Sequence, residues 1–398
     1  MTNRVLVLGA GAAGSAVANK LAREFRQEIA KEEVEITILD KNDVNINQGG
    51  FTFIPFGLYT PEDISRSRKK LISPRVKCVF GEDGEIERVD LANREVTAKT
   101  GRNYSYDYLV IATGCIADVE SVQGLSDDFN TFYTSLEDAF KLRKLVRTFD
   151  KGHIVISVAQ MPIPCPGAPG KFAVMLDAYL RYIRDKEVRK NVEISFLWPI
   201  GPIGPPAYNK IASETFEEQN INLIRNFRLT EVDADKKEVV AESGDRVKYD
   251  LLISIPPHKG IKALADSGIA VEGNWIPVDK STLQYRGPVG SYDEVYALGD
   301  GSTAGAVKTG IGAHYQSLVV GQNLVNDLHG NGIKVSYMGE LGCPFVGAIY
   351  TPSTRGKAYI PTWTYDKLPE PFKPTKLGWF LYRMYYYIYW YAGLRALM

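Results

Sequence analysis

The feature that most constrains the fold is a glycine-rich turn between an apolar strand and a helix at the start of the chain. Residues 4–8 predict a buried parallel strand, residues 15–26 have helical composition, and residues 34–39 predict a second strand that ends in an acid. The motif residues are Gly9, Gly11, Gly14 and Asp40. In such a motif the glycines permit a tight turn, close approach of a pyrophosphate and close helix packing, while the acid accepts a hydrogen bond from a ribose hydroxyl. The sequence therefore predicts a dinucleotide site here, with a turn or helix cap as the alternative role for the acid.

Length and charge limit the class of protein. The 398 residues exceed one ordinary domain of roughly 100–200 residues, so two or more domains are expected. The 47 basic and 47 acidic side chains cancel, which argues against a nucleic-acid partner and favours a small one. Four cysteines are too few and too scattered for a disulfide scaffold, and we predict no metal site.

The start of the chain bears on its location. The basic and apolar beginning runs directly into the strand and turn, with no small-residue cleavage pattern, so we expect no signal peptide and synthesis in the cytoplasm. No stretch of roughly 20 apolar residues is present, so no conventional membrane-spanning helix is expected.

A second set of alternating strands and helices begins at residue 152. Strands are predicted at 154–158, 192–197, 222–224, 239–240 and 251–255, with helices at 172–184 and 210–219. The loop after the first of these strands is rich in proline rather than glycine, with Cys165 near its middle. Proline has no N–H to donate, so this loop is a poor phosphate cradle but can hold a sulfur in one place. The sequence therefore disfavours NAD(P)H as the electron donor.

Two further segments resemble those of flavoproteins with two dinucleotide-binding domains. Residues 104–114 predict a strand that ends in Thr113 and Gly114, and residues 295–300 end in Gly299 and Asp300. The resemblance implies FAD, with the Asp300 carboxylate on the ribitol or phosphate side. Farther on, Lys308, Thr309 and Gly310 precede a predicted helix. The lysine charge and the helix N-terminus are expected near the flavin pyrimidine ring, and a solvated surface lysine is the alternative.

The last residues of the chain are unusually aromatic. From Lys376 onward Tyr, Trp and Phe are in excess, and Arg383 and Arg395 are spaced along the segment. Aromatic rings with flanking cations suit the headgroup boundary of a bilayer, so we expect an interfacial anchor and a peripheral, monotopic membrane location. The alternatives are an interface in a homo-oligomer or a helix packed into the core.

The cysteine contexts are more specific than the nucleotide motifs. Cys165 in CPGAP, the KTG of 308–310, and Cys343 in GELGCPF resemble the sulfide:quinone oxidoreductases and the related flavocytochrome c sulfide dehydrogenases. The resemblance implies that Cys165 and Cys343 form a sulfur bridge on one flavin face, where sulfide attacks and leaves a persulfide. It further implies that Cys343 supplies the thiolate that passes two electrons to the flavin. Quinone would bind on the other face, with Phe345, Tyr350, Phe372 and Trp379 as possible lining residues.

Two roles stay open at this stage. A general base is not evident, although His258 and Glu340 are candidates, with a loop hydrogen bond as the alternative role for the histidine. Many relatives carry a third cysteine near the position of residues 131–134, whereas here Cys115 follows Gly114. Cys115 is either a sulfur relay, a thioether link to the flavin, or an inert thiol.

The sequence thus predicts an α/β protein with two Rossmann-like domains of the disulfide-reductase type and a C-terminal membrane-associating section. The FAD domain is expected at 1–115 with 281–332, the second domain at 116–280, and the C-terminal section at 333–398. The competing functions are a type II NADH:quinone oxidoreductase, a flavocytochrome-type sulfide dehydrogenase subunit, and a non-catalytic flavin-binding scaffold.

Overall fold

The computed structural model describes residues 2–305, 307–349 and 356–398. Its larger sheet, the first sheet, combines strands from two distant parts of the chain. In spatial order its strands are Gln284–Gly287, Gly290–Ala297, Tyr108–Ile111, Asn3–Leu8, Val34–Asp40 and Lys77–Phe80. The edge strand Gln284–Gly287 is antiparallel to its neighbour, and the other four pairs of adjacent strands are parallel. The carboxyl ends of these strands therefore meet at one edge, where the motif residues lie.

Two helices pack on the first sheet. Ala12–Glu24 begins three residues earlier than the sequence predicted, so the glycine turn is itself the start of the helix. Gly310–Leu328 packs beside it, and a Cβ on Gly321 of this second helix would lie 2.7 Å from the Lys20 side chain. A short helix, Arg26–Ala30, and an antiparallel meander complete this half; the meander strands are Ile86–Asp90, Glu95–Ala98 and Asn103–Ser105.

The second sheet is parallel and has four strands. In spatial order these are Asn222–Ile224, Val192–Leu197, Gly152–Val158 and Leu251–Ile255. Its larger helices are Leu136–Thr148, Gly167–Ala178 and Pro206–Glu218, with Lys186–Lys190 between them, and a meander is formed by Leu229–Asp233, Glu238–Ala241 and Arg246–Lys248. The α/β dinucleotide-binding fold that the sequence predicted is confirmed, while the exact domain bounds stay a prediction.

Two predicted elements differ from the structure. The strand predicted over 104–114 is interrupted, because only Asn103–Ser105 and Tyr108–Ile111 are extended. The helix predicted from residue 172 begins at Gly167, which places Pro169 in its first turn, where the missing N–H has no intrahelical partner to lose. The proline loop is therefore shorter than predicted. Cys165 lies two residues before the first residue of this helix, which we call the cysteine helix.

Short elements connect the two sheets and form the C-terminal section. The paired strands are Cys115–Ala117 with His258–Gly260, Val44–Ile46 with Ser65–Ser67, Leu341–Gly342 with Thr362–Trp363, and Phe345–Ala348 with Lys357–Tyr359. The short helices are Pro61–Ile64 and Lys262–Asp266. The chain ends in Lys376–Ile388, the tail helix, followed by a π-helical turn, Tyr389–Gly393.

The tail helix packs one face on the protein and leaves the other exposed. Gly378, Trp379 and Tyr382 are buried. The exposed face is also apolar, with Leu377 66% and Phe380 59% exposed. None of the helices within the described residues has the length and apolar character that crossing a bilayer requires. The tail helix is therefore apolar on both faces, of which one is packed into the core and the other is uncovered.

The end of the tail is fastened to the first helix of the chain. The Asn19 amide donates to the carbonyl oxygens of Leu394 (2.7 Å) and Leu71 (3.0 Å), and its oxygen accepts from the Ser73 N–H at 2.7 Å. Asn19 is buried, so these three bonds replace its contacts with water. Asn19 therefore connects the FAD-binding half to the C-terminal segment.

Replacing Asn19 with alanine should loosen this connection. We expect Asn19→Ala to lower the free energy of unfolding by about 1–3 kcal/mol, because two buried carbonyls and one N–H lose their partner. Denaturant unfolding measures this change, and limited proteolysis should cut the tail faster. Asn3→Ala, at an exposed position of the first strand, is the control and should change neither. Equal proteolysis of both variants would contradict the role given to Asn19.

Candidate active site

The glycine turn has the geometry of a phosphate-binding loop. Gly9 has a φ of +96°, and a Cβ there would lie 2.4 Å from the Ala112 carbonyl oxygen. A Cβ on Gly14 would lie 2.0 Å from the Gly9 carbonyl oxygen, whereas one on Gly11 would meet no atom within 4 Å. No side chain caps the helix that begins at Ala12. Its free N–H groups therefore face open space, which suits an anion.

Asp40 closes this loop from the neighbouring strand. One carboxylate oxygen accepts from the Ala10 N–H at 2.8 Å, and the other accepts from the Asn42 N–H at 3.0 Å and pairs with Arg68. The acid thus takes the turn-cap role that was its alternative, through Asn42, and it also fixes the glycine loop through Ala10. Its bond to a ribose hydroxyl stays a prediction.

The two later flavin motifs meet beside this loop. A Cβ on Gly301 would lie 2.5 Å from the Gly114 carbonyl oxygen, so the segments that contain Thr113 and Asp300 are in contact. Thr113 Oγ1 is buried and has no hydrogen-bond partner among the described residues. Gly299 has a φ of +76°, and its N–H donates to Gln316 at 2.7 Å. An unpartnered buried hydroxyl beside an open loop is the pattern expected where a cofactor supplies the missing partner.

The helix Gly310–Leu328 points its N-terminus at the same region. Thr309 caps it by accepting from the Gly312 N–H at 2.9 Å. Lys308 Nζ lies 3.8 Å from the centre of the Trp275 ring and donates to the Ser302 carbonyl at 2.9 Å, so it is not a solvated surface lysine. Burial lowers the pKa of Lys308, although the Asp300 carboxylate opposes this. The cation and the helix terminus together make the region beside the two later flavin motifs electropositive.

Asp300 and Cys115 belong to this part of the site. Burial raises the pKa of Asp300 to about 6, with Lys308 lowering it and Cys165 raising it further. Burial also raises the pKa of Cys115 well above its ordinary value, and its charged neighbours are Asp300 and Lys308. Cys115 therefore lies on the flavin side as an uncharged thiol. Neither Cys165 nor Cys343 is among the groups that shift the pKa of Cys115.

Cys165 is held by backbone contacts on both sides. Its N–H donates to the Lys308 carbonyl at 2.5 Å, which joins the proline loop to the KTG segment. The Tyr133 hydroxyl donates to the carbonyls of Pro164 (2.9 Å) and Cys165 (2.8 Å). Cys165 has a φ of +47°, a conformation that residues other than glycine seldom adopt and that is enriched at functional sites. Tyr133 occupies the segment where many relatives carry a third cysteine.

Cys343 lies against the first turn of the cysteine helix. A Cβ on Gly167 would lie 2.3 Å from Cys343 Sγ and 2.5 Å from the Tyr208 hydroxyl oxygen. The Tyr208 hydroxyl is 3.8 Å from Cys343 Sγ. Glycine at 167 is therefore needed for the second cysteine to reach the first. The structure brings Cys165 and Cys343 together as free thiols, from positions far apart in the sequence.

The two thiols have opposite electrostatic environments. A hydrogen bond from Cys343 lowers the pKa of Cys165 to about 6, against the effect of burial, and Lys171 and the Ala168 N–H lower it further. The same hydrogen bond and burial raise the pKa of Cys343 above its ordinary value. Near neutral pH the reduced pair is therefore a Cys165 thiolate that accepts a hydrogen bond from the Cys343 thiol.

Lys171 is the site residue that the sequence analysis missed. Its side chain is 4% exposed, and its Nζ lies 3.7 Å from Cys165 Sγ and 3.3 Å from the Tyr382 hydroxyl oxygen. Burial disfavours its charge, but the Cys165 sulfur and Tyr382 outweigh this and raise the pKa of Lys171. No carboxylate pairs with it within the part of the chain that the structure describes. The sulfur of Cys165 is therefore its counter-ion.

The two candidate bases do not contact the thiols. His258 Nδ1 bonds the Pro256 carbonyl at 2.9 Å, and burial lowers the pKa of this histidine to about 4. The His258 and Tyr133 rings pack edge to face, with their centres 5.9 Å apart. The Glu340 carboxylate accepts from the Met338 N–H at 2.9 Å. His258 has the structural loop role that the sequence left open, and Glu340 is bound to its own turn.

Three of the four proposed quinone-lining residues form one aromatic cluster with the core. The ring centres of Phe345 and Phe372 are 6.1 Å apart, and Phe372 stacks on Tyr359 with ring centres 4.9 Å apart. Trp379 is buried on the tail helix beside Tyr382, 6.4 Å away. Tyr350 lies outside the described residues. A different aromatic residue is nearer the cofactor side, because a Cβ on Gly310 would lie 3.3 Å from the Tyr385 hydroxyl oxygen.

The open glycine loop and the unpartnered Thr113 hydroxyl fit a flavin-dependent oxidoreductase, and two free thiols lie close together in the same site. Residues 3–156 match the family described as pyridine nucleotide-disulphide oxidoreductase. The mitochondrial sulfide:quinone oxidoreductase of Dictyostelium discoideum is 27% identical over 86% of this chain and 74% of its own. The solved sulfide:quinone oxidoreductase of Aquifex aeolicus superposes with a TM-score of 0.80 at 21% identity, covering 99% of this chain and 92% of that one.

A second kind of relative is similar over much less of the chain. The type II NADH:quinone oxidoreductase of Staphylococcus aureus is 29% identical over 31% of this chain and 29% of its own. The resemblance to the sulfide:quinone oxidoreductases is thus confirmed over most of the length, and the protein is a FAD-dependent oxidoreductase homologous to them.

The residues present fit FAD. The loop of Gly9, Gly11 and Gly14 would hold the pyrophosphate, while Thr113 and Asp300 would bond the parts of the cofactor that follow it. Lys308 and the N-terminus opened by Thr309 and Gly310 would face the end of the ring system where negative charge develops on reduction.

The close approach at Gly9 gives a test of this fit. We expect Gly9→Ala to lose most bound flavin, because the new methyl group would overlap the Ala112 carbonyl. The ratio of flavin to protein absorbance after purification measures this. Gly101→Ala is the matched control, since Gly101 also has a positive φ (+84°) but open space around its Cβ position. If both variants lose flavin equally, backbone strain rather than the close approach explains the loss.

The buried lysine gives a second test. In the reduced protein we expect Lys171→Met to raise the pKa of Cys165, so that alkylation of Cys165 by iodoacetamide at pH 7 slows at least roughly tenfold. Mass spectrometry of the Cys165 peptide across pH measures the rate, and Lys171→Arg should restore the profile because it keeps the cation. Lys190→Met, at an exposed position, is the control. An unchanged pH profile in Lys171→Met would remove Lys171 from the site.

Proposed function

We propose that the protein oxidises sulfide to polysulfide or sulfur at Cys165 and Cys343 and passes the electrons through FAD to a quinone at a membrane surface. The observation that carries this proposal is the pair of thiols, a partly buried Cys165 and a buried Cys343, beside Lys171 at the start of the helix Gly167–Ala178. A cation and a helix N-terminus stabilise a thiolate, and sulfide chemistry proceeds through thiolate and persulfide.

The same helix terminus argues against NADH as the donor. In a nicotinamide-binding domain the N-terminus of the helix after the first strand binds the pyrophosphate. Here Cys343 Sγ and the Tyr208 hydroxyl lie at the first turn of that helix, as the space around Gly167 indicates. A second anion would have to displace the sulfur pair. This supports sulfide over the type II NADH:quinone oxidoreductase alternative.

The difference between the electrostatic environments of Cys165 and Cys343 supports a different role for each sulfur. In the oxidised pair, the better leaving group is the sulfur whose thiolate is stabilised, and Lys171 Nζ lies 3.7 Å from Cys165 Sγ. Hydrosulfide therefore attacks Cys343, the bridge breaks, and its electron pair stays on Cys165 as a thiolate next to Lys171. Cys343 now carries the persulfide. This order is the reverse of the one that the family resemblance implied, in which Cys343 supplied the electron-donating thiolate.

Reoxidation rejoins the two sulfurs. Loss of two electrons and one proton from the Cys165 thiolate and the Cys343 persulfide forms a bridge that includes the added sulfur, and further hydrosulfide removes it as polysulfide. FAD, when bound, supplies the two-electron acceptor between this pair and the quinone. Lys171 stabilises the thiolate before the electrons leave, and Tyr133 fixes the loop that carries Cys165.

The tail helix supports a membrane location and an apolar co-substrate. Its exposed face is apolar, and its buried face places Tyr382 against Lys171 and Tyr385 near Gly310. A quinone entering along this helix would therefore approach the positive end of Gly310–Leu328. The protein is proposed to bind one leaflet without spanning it, as a peripheral protein.

Cysteine replacement tests the proposal. We expect Cys343→Ser and Cys165→Ser each to lower sulfide-dependent quinone reduction by at least roughly 10³-fold, since each removes one of the two reacting sulfurs. Cys78→Ser, in the outermost strand of the first sheet, should leave the rate unchanged. Anaerobic sulfide should bleach the flavin of the unmodified protein and NADH should not.

Two outcomes of this experiment would overturn the proposal. Rapid bleaching by NADH but not by sulfide would favour the alternative donor, and unchanged turnover in Cys343→Ser would favour a thiol-free route or a scaffold. Cys115→Ser in the same assay, with mass spectrometry of the denatured protein, decides whether this thiol relays sulfur, binds flavin covalently, or is inert.

A further inference from the structure

A basic cavity lies at the C-terminal end of the tail, and neither Cys165 nor Cys343 lines it. Its volume is about 440 Å³, and it is lined by Ser65, Arg66, Ser67, Lys70, Leu71 and Arg395. We call this the basic pocket. Three of its six residues are cations and two are hydroxyl donors, and no acid lines it. Such a composition suits a phosphate group, which accepts hydrogen bonds and carries negative charge.

The cations of the basic pocket have no protein counter-ion. Arg68, close in sequence, pairs with Asp40, whereas Arg66, Lys70 and Arg395 form no ion pair in the described ranges. Arg66 is nevertheless held in place, since its guanidinium lies 4.8 Å from the Trp390 ring centre and 5.1 Å from that of Tyr391. Unpaired cations around a cavity, one of them fixed by aromatic rings, are expected where an external anion binds.

The basic pocket is continuous with the exposed apolar face of the tail. Tyr391, which contacts Arg66, is 52% exposed, and Tyr387, one turn earlier, is exposed as well. Leu397 and Met398, which follow the buried Ala396 after Arg395, are also exposed. An anion in the pocket would thus have apolar surface beside it. A phospholipid has this combination, with a phosphate next to acyl chains, and a free phosphate ion does not.

We propose that the basic pocket binds the phosphate of an anionic phospholipid headgroup while the apolar face of the tail helix enters the bilayer. This inference rests on the proposed membrane association. It adds selectivity to it, because binding would depend on the headgroup charge of the membrane as well as on apolar contact.

The test uses the full-length holoprotein and vesicles of phosphatidylcholine with and without phosphatidylglycerol. Phosphatidylglycerol should increase the bound fraction in flotation, and Lys70→Gln/Arg395→Gln should reduce partitioning to the anionic vesicles by roughly 10- to 30-fold, from two lost charges. Lys70→Arg/Arg395→Lys should retain it. The matched control, Lys144→Gln/Lys280→Gln, removes two exposed cations outside the pocket and should bind as the unmodified protein does.

Further arms separate the possible sources of the anion. Inorganic phosphate should displace the protein no more than chloride at equal ionic strength, and stronger displacement would indicate a free-phosphate site instead. Flavin content should be unchanged in Lys70→Gln/Arg395→Gln, and loss of flavin would assign the pocket to the cofactor. Equal binding to both vesicle types, or an equal effect of the control variant, overturns the proposal. Turnover with a short-chain quinone in detergent should be unaffected, so failure here is distinct from failure of the sulfide activity.

Discussion

The structure of the site depends on one buried interaction, the pairing of the Lys171 ammonium with the Cys165 sulfur. A buried cation is stable only if an anion or strong acceptors compensate it, and here the compensation comes from a thiolate and the Tyr382 hydroxyl. In the proposed cycle, the thiolate part of this compensation is lost when Cys165 is bonded to another sulfur. The positive charge of Lys171 would then attract the hydrosulfide anion to the bond to be broken, and the leaving thiolate would restore neutrality.

The glycine loop was predictable from the sequence, because it depends on a motif with fixed spacing and local backbone constraints. The pairing of Cys165 with Cys343 was implied by the family resemblance of their sequence contexts. Lys171 was not predictable, because its role depends on where the cysteine helix begins. A helix that began at residue 172 would leave Lys171 in a loop. Because the helix begins at Gly167, Lys171 lies in its first turns and its side chain reaches Cys165. Pro169 suggested a loop, yet proline is compatible with a first turn. Tyr133 and Tyr208 were missed because tyrosines carry no spacing signal and reach the site only through tertiary packing.

The tail could be predicted only in part for a related reason. Both of its faces are apolar, so the sequence does not show which side packs on the protein. The structure resolves this through contacts distant in sequence. Tyr389 donates to Asn45 at 2.8 Å, and Asn45 in turn donates to the Ala10 carbonyl of the phosphate loop at 3.3 Å. Asn19 provides a second connection. The tail, whose exposed face is the proposed membrane contact, is thus bonded to the glycine loop that would hold the cofactor. Docking to a bilayer, as proposed, would therefore be linked to the stability of the FAD site.

The tail helix also explains how one site can serve a water-soluble and an apolar substrate. Tyr382 on its buried face contacts Lys171, while the next residue back, Leu381, is 51% exposed. An α-helix with its side chains is about 10–12 Å across, so this single helix separates the sulfur chemistry from the proposed lipid surface. As proposed, a quinone would reach the flavin edge near Tyr385 from the apolar face of the tail helix, and sulfide would be drawn to the Lys171 charge on the other side of the same helix. One helix would then serve as both the wall of the site and the anchor, which would keep the two reactions close together.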